Sequence, residues 1–124
     1  MLWAEVTALA FSKLIQEVCD EVAKPEWWND EGLKGLSARV MRAAPNYVAA
    51  NTMRALVLRE MSSRAWEAGP RSAAELKEAA THFERAAALN SAPAMKAELT
   101  RRADRCRGLV PQLGRRHVAV LLYA

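Results

Sequence analysis

Glycine, β-branched residues and aromatics are all in short supply in this chain of 124 residues, with five glycines and aromatics at 6%. That shortage removes the usual material of sheets and tight hairpins. There are two cysteines, Cys19 and Cys106, with no partner at metal-ligand spacing. A disulfide framework and a zinc site are thereby excluded, and both thiols are expected to be reduced and packed in an intracellular protein. No apolar run approaches the ~20 residues needed to span a bilayer. The start, Met1-Leu-Trp-Ala-Glu5, lacks a basic flank and carries an acid, which argues against a signal peptide. Glycine-rich phosphate loops and HExxH or CxxC patterns are missing. His82 and His117 have no nucleophile or carboxylate at a telling spacing, and Glu17, Asp20 and Glu21 read as a solvated helix face. No catalytic residue, metal or cofactor is therefore expected.

What is present is a soluble, helix-forming mixture. Apolar residues make up 52% and charged residues 26% of the chain, and Ala, Leu, Glu, Arg and Lys dominate. The net charge of +4 conceals a gradient, from −5 over residues 1–31 to +5 over residues 96–117. A chain polarised in this way steers unlike partners to its two ends.

Periodicity and punctuation predict five helices. The first runs from Leu2 to Ala23, stops before Pro25, and is apolar on more than one stripe. The second starts at Asp30 and ends at Ala44. The third spans Asn46 to Ala68 and is halted by Gly69-Pro70. Ser72-Ala-Ala-Glu75 is a capping box opening the fourth, which carries Leu76, Ala79, Ala80, Phe83, Ala86 and Ala87 on one stripe. A face so rich in alanine is suited to a very close neighbour. The fifth runs from Ala92 to Arg107, with Pro93 in its first turn and Gly108 ending it. Residues 1–108 form the helical domain and 109–124 a tail, in which Val118 to Tyr123 has strand-like composition.

Two stretches match when aligned on their prolines. Ten residues after Pro45 and Pro93 come Ala55 and Ala103, and three residues later Leu58 and Cys106. Ala79, Phe83 and Ala86 reproduce the spacing of a repeat's second helix, and Pro45-Asn-Tyr47 with Ala49-Ala50 looks like a junction between repeats. Over residues 33–107 the chain resembles the tetratricopeptide repeat family. It departs from that pattern in three ways. The prolines lie 48 residues apart, against a period of about 34; Pro93 falls two residues late; and Arg54 stands where a large apolar residue is usual. The resemblance implies an all-α stack of two antiparallel helix pairs plus a capping helix. A plain up-and-down five-helix bundle is the rival architecture. With no polar capping repeat ahead of the first helix, the chain is expected to be part of a longer solenoid or an assembly subunit.

In such a stack the first helix of each pair lines a groove. Carried over, that implicates Ala49, Thr52, Leu56 and Arg59 on the third helix, and Ala97, Thr100, Arg101 and Asp104 on the fifth. The groove would be mildly basic and suited to an acidic peptide or protein. One subgroup of the family grips a C-terminal carboxylate, but only Arg101 matches its pattern and Met53 replaces a needed asparagine. Trp27-Trp28 forms either an exposed interface anchor or a cap on the helical core. Two other functional classes stand beside the interaction module. One is a structural subunit embedded in a larger complex. The other is a nucleic-acid binder using Arg101, Arg102, Arg105, Arg107, Arg115 and Arg116, although no aromatics are interleaved for base stacking.

Overall fold

The structure is a computed structural model that describes residues 2–16, 24–61 and 63–123, apart from the side chains of residue 2 and residues 114–123. Five helices follow one another: α1 Leu2–Gln16, α2 Asp30–Ala43, α3 Val48–Arg59, α4 Ala73–Leu89 and α5 Pro93–Tyr123. The fold is all-α, with no strand among the described residues. The expected second half of the first helix, up to Ala23, and Cys19 within it lie outside the described residues.

Consecutive helices pack on one another, and α1 also reaches α3. Two cores result. The first joins Ala4, Ala8 and Phe11 of α1 with Leu33 and Val40 of α2 and Ala50, Met53 and Val57 of α3. The second joins Ala55 and Leu58 of α3 with the alanine stripe and Phe83 of α4, and with Leu99, Ala103 and Cys106 of α5. The helix α3 is thus a partition with one apolar stripe for each core. A bundle around a single axis would have given one core; here the helices stack.

Local chemistry sets most of the boundaries. The Asn29 side chain accepts from Gly32 N at 2.8 Å, capping α2. The loop before it folds back so closely that a Cβ on Gly32 would lie 2.6 Å from the Trp27 carbonyl oxygen. The capping box at the start of α4 is formed as expected, with Ser72 and Glu75 each bonded to the other's backbone N–H.

Two boundaries differ from expectation. Rather than running to Ala68, α3 ends at Arg59: Glu60 is extended and Ser63 takes a left-handed φ of 58°. The reason is tertiary. Residues after α3 are drawn back across the first core, where Trp66 stacks edge-on to Trp28 at 5.8 Å between centroids. At the other end, α5 does not stop at Gly108 but runs through Pro111 to Tyr123, so the tail is helical. Gly108 lacks a positive φ, so it does not form the left-handed cap that terminates helices. Pro111 removes one N–H, but the leucines, arginines and alanines beyond it favour helix strongly enough to continue.

The connector between α3 and α4 is tied down by one charged group. Asp30, the first residue of α2, accepts from both terminal nitrogens of Arg71, at 2.5 and 3.1 Å. It also accepts from the Trp66 indole at 2.9 Å and from Gly69 N at 3.2 Å. Arg71 itself is fully enclosed and donates onward to the carbonyls of Val57 and Gly69, each at 3.0 Å. The Arg71 bonds, reinforced by Trp66 and Gly69, outweigh burial and hold the Asp30 carboxyl far below the usual carboxylate range. Replacing Asp30 by Asn leaves a buried guanidinium without its counter-charge. Urea unfolding should show a loss of about 3 kcal/mol, the lower end for a broken buried pair, because Asp30 keeps 20% of its side chain in solvent. The sign with pH follows from a folded pKa below the unfolded one. Asp30's contribution is complete above the ordinary carboxylate pKa and is lost as pH falls towards the folded value. The D30N variant should therefore lose less stability on acidification than the parent.

Candidate functional site

A hollow opens between α1, α3 and α5, on the side away from α2 and α4. Its upper part, about 350 Å³, is walled by Ser12 of α1, by Val48, Ala49 and Thr52 of α3, and by Met95 and Leu99 of α5. A second cavity of about 390 Å³ lies towards the C-terminal end of α3, between Arg59 and the α5 residues Arg102, Arg105, Cys106 and Gln112. Arg102 lines both, so the two form one groove that is apolar at one end and basic at the other. From Thr52 to Arg59 is seven residues, a run of about 10 Å along α3.

Of the third-helix candidates, Ala49, Thr52 and Arg59 line the two cavities and Leu56 lines neither. Thr52 lines the apolar part and Arg59 the basic part. Leu56 is half-buried and packs against both cores. Thr100, Arg101 and Asp104 line neither cavity. Thr100 is exposed and bonds back to the Lys96 carbonyl at 2.9 Å. Arg101 is held by Glu98 at 2.7 Å, and Asp104 by Arg107 at 3.3 Å. The repeat pattern gives the phase of α5 but not which of its sides faces α3. On α5 the side turned to α3 carries Met95, Leu99, Arg102 and Arg105. Ala97 is likewise exposed and outside the hollow.

Trp27 and Trp28 are not an exposed anchor. Both are part-buried against the first core. The Trp28 ring sits 5.4 Å from Phe11 and its indole N–H donates to the Ala65 carbonyl at 2.9 Å. Cys106 is a free, buried thiol whose pKa burial pushes up. Among the described residues no group of three His, Cys, Asp or Glu is placed to hold a metal ion, and no helix is long and apolar enough to cross a membrane.

Electrostatics single out the basic end. Arg59 and Arg105 form no ion pair with a described residue, whereas Arg102 is bonded to Glu98 at 3.1 Å. Arg59 lies over the face of Phe83, 5.9 Å from the ring centroid. Burial, and next the repulsion of Arg102, lowers its pKa from the ordinary arginine value. Three guanidinium groups therefore converge on one hollow, with Glu98 bonded to Arg102 and Glu60 acting on Arg59.

On the opposite side, a polar chain crosses α2, α3 and α4. Asn51 donates to the carbonyls of Pro45 and Tyr47, each at 3.0 Å, which turns its oxygen towards His82 Nδ1 at 3.1 Å. His82 Nε2 lies 3.3 Å from Glu78, and Glu78 accepts from Arg54 Nε at 3.0 Å. Arg54 continues to the Lys34 carbonyl at 2.9 Å and to Ser37 Oγ at 3.0 Å. The expectation that His82 has no carboxylate at a telling spacing is corrected here. Glu78 is one helical turn before it, the i, i+4 relation that puts two side chains on one face. Arg54, out of place in an apolar position of the repeat pattern, is the link between α2 and α4.

Burial pushes the His82 pKa below the usual histidine value, against the opposing pull of Glu78. The unfolded chain then takes up the proton first as pH falls. The contribution of neutral His82 to stability is full above pH ~6.5 and is lost as pH drops through that value towards the folded pKa. Unfolding free energy should fall between pH 7.5 and 5.5 more steeply in the parent than in H82Q. Equal slopes would show that His82 is not buried in its neutral form. Comparison of the chain with protein-family models, curated proteins and solved structures finds no match in any of the three.

Proposed function

We propose that this chain is a tetratricopeptide-like interaction module that takes a segment of another protein into the groove between α1, α3 and α5. The observation that carries this reading is the continuity of the hollow through Arg102, with Val48, Ala49, Met95 and Leu99 at one end and Arg59 and Arg105 at the other. Apolar walls supply burial on binding and a few polar groups fix orientation, which is the usual division of labour in a peptide groove. Thr52 sits mid-wall and is half-exposed, so a large side chain there fills the hollow without entering either core.

The test is capture of partners from native extract by the immobilised chain, repeated with T52W and with T81W. Thr81 is exposed on α4 and lies on the far side of the stack, beside Lys77 and Pro111. T52W is expected to reduce recovery at least tenfold while T81W leaves it unchanged. Equal recovery with both would remove the groove from the account.

A second reading is favoured by a different observation. On α1, Trp3, Val6 and Leu9 are 47, 61 and 53% exposed, an apolar face unlike the charged exterior of α4 and α5. A structural subunit of a larger assembly would bury that face permanently. In that case the isolated chain should self-associate in sedimentation, and V6K with L9K should return it to a monomer. A monomeric parent chain at high concentration would count against it.

A further inference from the structure

The groove's basic end is more specific than a general positive surface. Its lining includes Arg59 from the last turn of α3, and Arg102, Arg105, Cys106 and Gln112 of α5. We propose that this end is a binding subsite for a single oxyanion, a carboxylate or phosphate carried on the partner's side chain, and that it fixes the direction in which the partner segment lies. The inference rests on the groove reading and deepens it by naming the chemistry of the partner: apolar residues against Met95 and Leu99, followed within a few residues by an acid.

Three lines of argument converge. The first is geometric. A planar guanidinium offers a fork of donors that matches two oxygens of one anion, and three such forks line a hollow large enough for the group. The second is the state of those forks. Neither Arg59 nor Arg105 has an ion-pair partner among the described residues, while Arg101 and Arg107, close by on α5, are occupied by Glu98, Glu84 and Asp104. Of the three arginines at the hollow, Arg102 shares Glu98 with Arg101, while Arg59 and Arg105 keep guanidinium groups outside any ion pair with a described residue. The third is what holds Arg59 in place. Its guanidinium rests on the Phe83 ring, a contact that orients it towards the hollow yet uses none of its hydrogen-bond donors.

The same observations favour a peptide over a nucleic acid. A phosphate backbone is recognised by a stripe of free cations and by exposed aromatics for base stacking. Here Arg101 and Arg107 of α5 are already paired, Arg59 is part-buried, and no exposed aromatic stands beside them among the described residues.

The test uses the full chain with arginine side-chain N–H signals assigned by NMR. Three probes are titrated at low salt: a blocked Leu-Leu-Gly-Glu-Glu peptide, its Leu-Leu-Gly-Gln-Gln counterpart, and inorganic phosphate. The glutamate peptide should shift the Nε–H signals of Arg59, Arg102 and Arg105 together and saturably, and the glutamine peptide should not. R105Q should weaken binding at least fivefold, since Arg105 is exposed and its loss spares the core. R85Q, which removes the same charge from the exposed face of α4, should change it less than twofold. Saturable binding of phosphate alone at the same three signals identifies phosphate as the anion; binding of the glutamate peptide alone identifies carboxylate. Either supports the subsite. The inference is overturned if no probe shifts the three signals, or if R85Q and R105Q weaken binding equally. It is also overturned if an oligothymidylate displaces the glutamate peptide at equal charge concentration. If both peptides shift the Val48, Ala49 and Leu99 amides equally while the arginines stay silent, the groove stands and only its anion subsite falls.

Discussion

The close approach that alanine permits, interrupted by one large ring, is the constraint from which the rest of the structure follows. Ala79, Ala80, Ala86 and Ala87 of α4 lie against Ala55 of α3 and Ala103 of α5, and with no side chain beyond Cβ the backbones can nest. Phe83, fully buried at the middle of the same stripe, is too large to nest. It shares the second core with residues of both partners of α4. Helices α3 and α5 each pack extensively on α4 and little on one another, and the groove lies between them. The same ring supports Arg59 from beneath. That contact helps to set the position of a charge beside the hollow.

A stack held only by small apolar contacts would slide, because alanine surfaces carry little information about register. Polar groups supply it. The Asp30–Arg71 pair fixes the connector after α3 against the first turn of α2, and the chain from Asn51 through His82, Glu78 and Arg54 fixes α4 against α3 and α2. Buried charge is a weak source of net stability but a strong source of specificity when every partner is present. Arg71 comes close to that condition: four of its five donors are engaged through Nη1 and Nη2, and Nε alone lacks a partner. The network earns its place by excluding other registers rather than by adding to the depth of the native minimum.

Much of this architecture was legible in the sequence, and the misses share a cause. The capping box at Ser72, the alanine stripe of α4, Pro93 as first residue of α5 and the start of α2 at Asp30 are local signals, and the structure has all of them. What the sequence hid was set by contacts distant along the chain. Residues 60–68 have helical composition, yet Trp66 leaves the helix because Asp30 and Trp28, more than thirty positions earlier, hold its indole. Gly108 and Pro111 are helix-stopping residues by local rule, yet neither adopts the geometry that stops one. On α5 the residues of the groove wall were displaced because a repeat pattern gives the phase of each helix but not which side faces the opposing wall. The signal that could have found Arg102 and Arg105 was their spacing from Leu99 and Cys106, the buried positions on either side of them.

Charge distribution gives the groove its meaning. Acidic residues dominate residues 1–31 and basic ones residues 96–117, and a fold that placed these segments together would cancel them. Among the described residues, α1 and α5 do not pack extensively on one another. Within α5 the arginines differ in their partners. Arg101 and Arg107 find acids on their own helix or on α4, Arg102 shares Glu98 with Arg101, and Arg105 pairs with no described residue. Like charges gathered in a recess raise one another's energy far more than the same charges spread over a surface, because less water screens them. Folding tolerates that cost at the basic end of the groove through the packing of α4 on either side of it. Arg102 and Arg105 both repel Arg59, and an anion bound between them would relieve that repulsion.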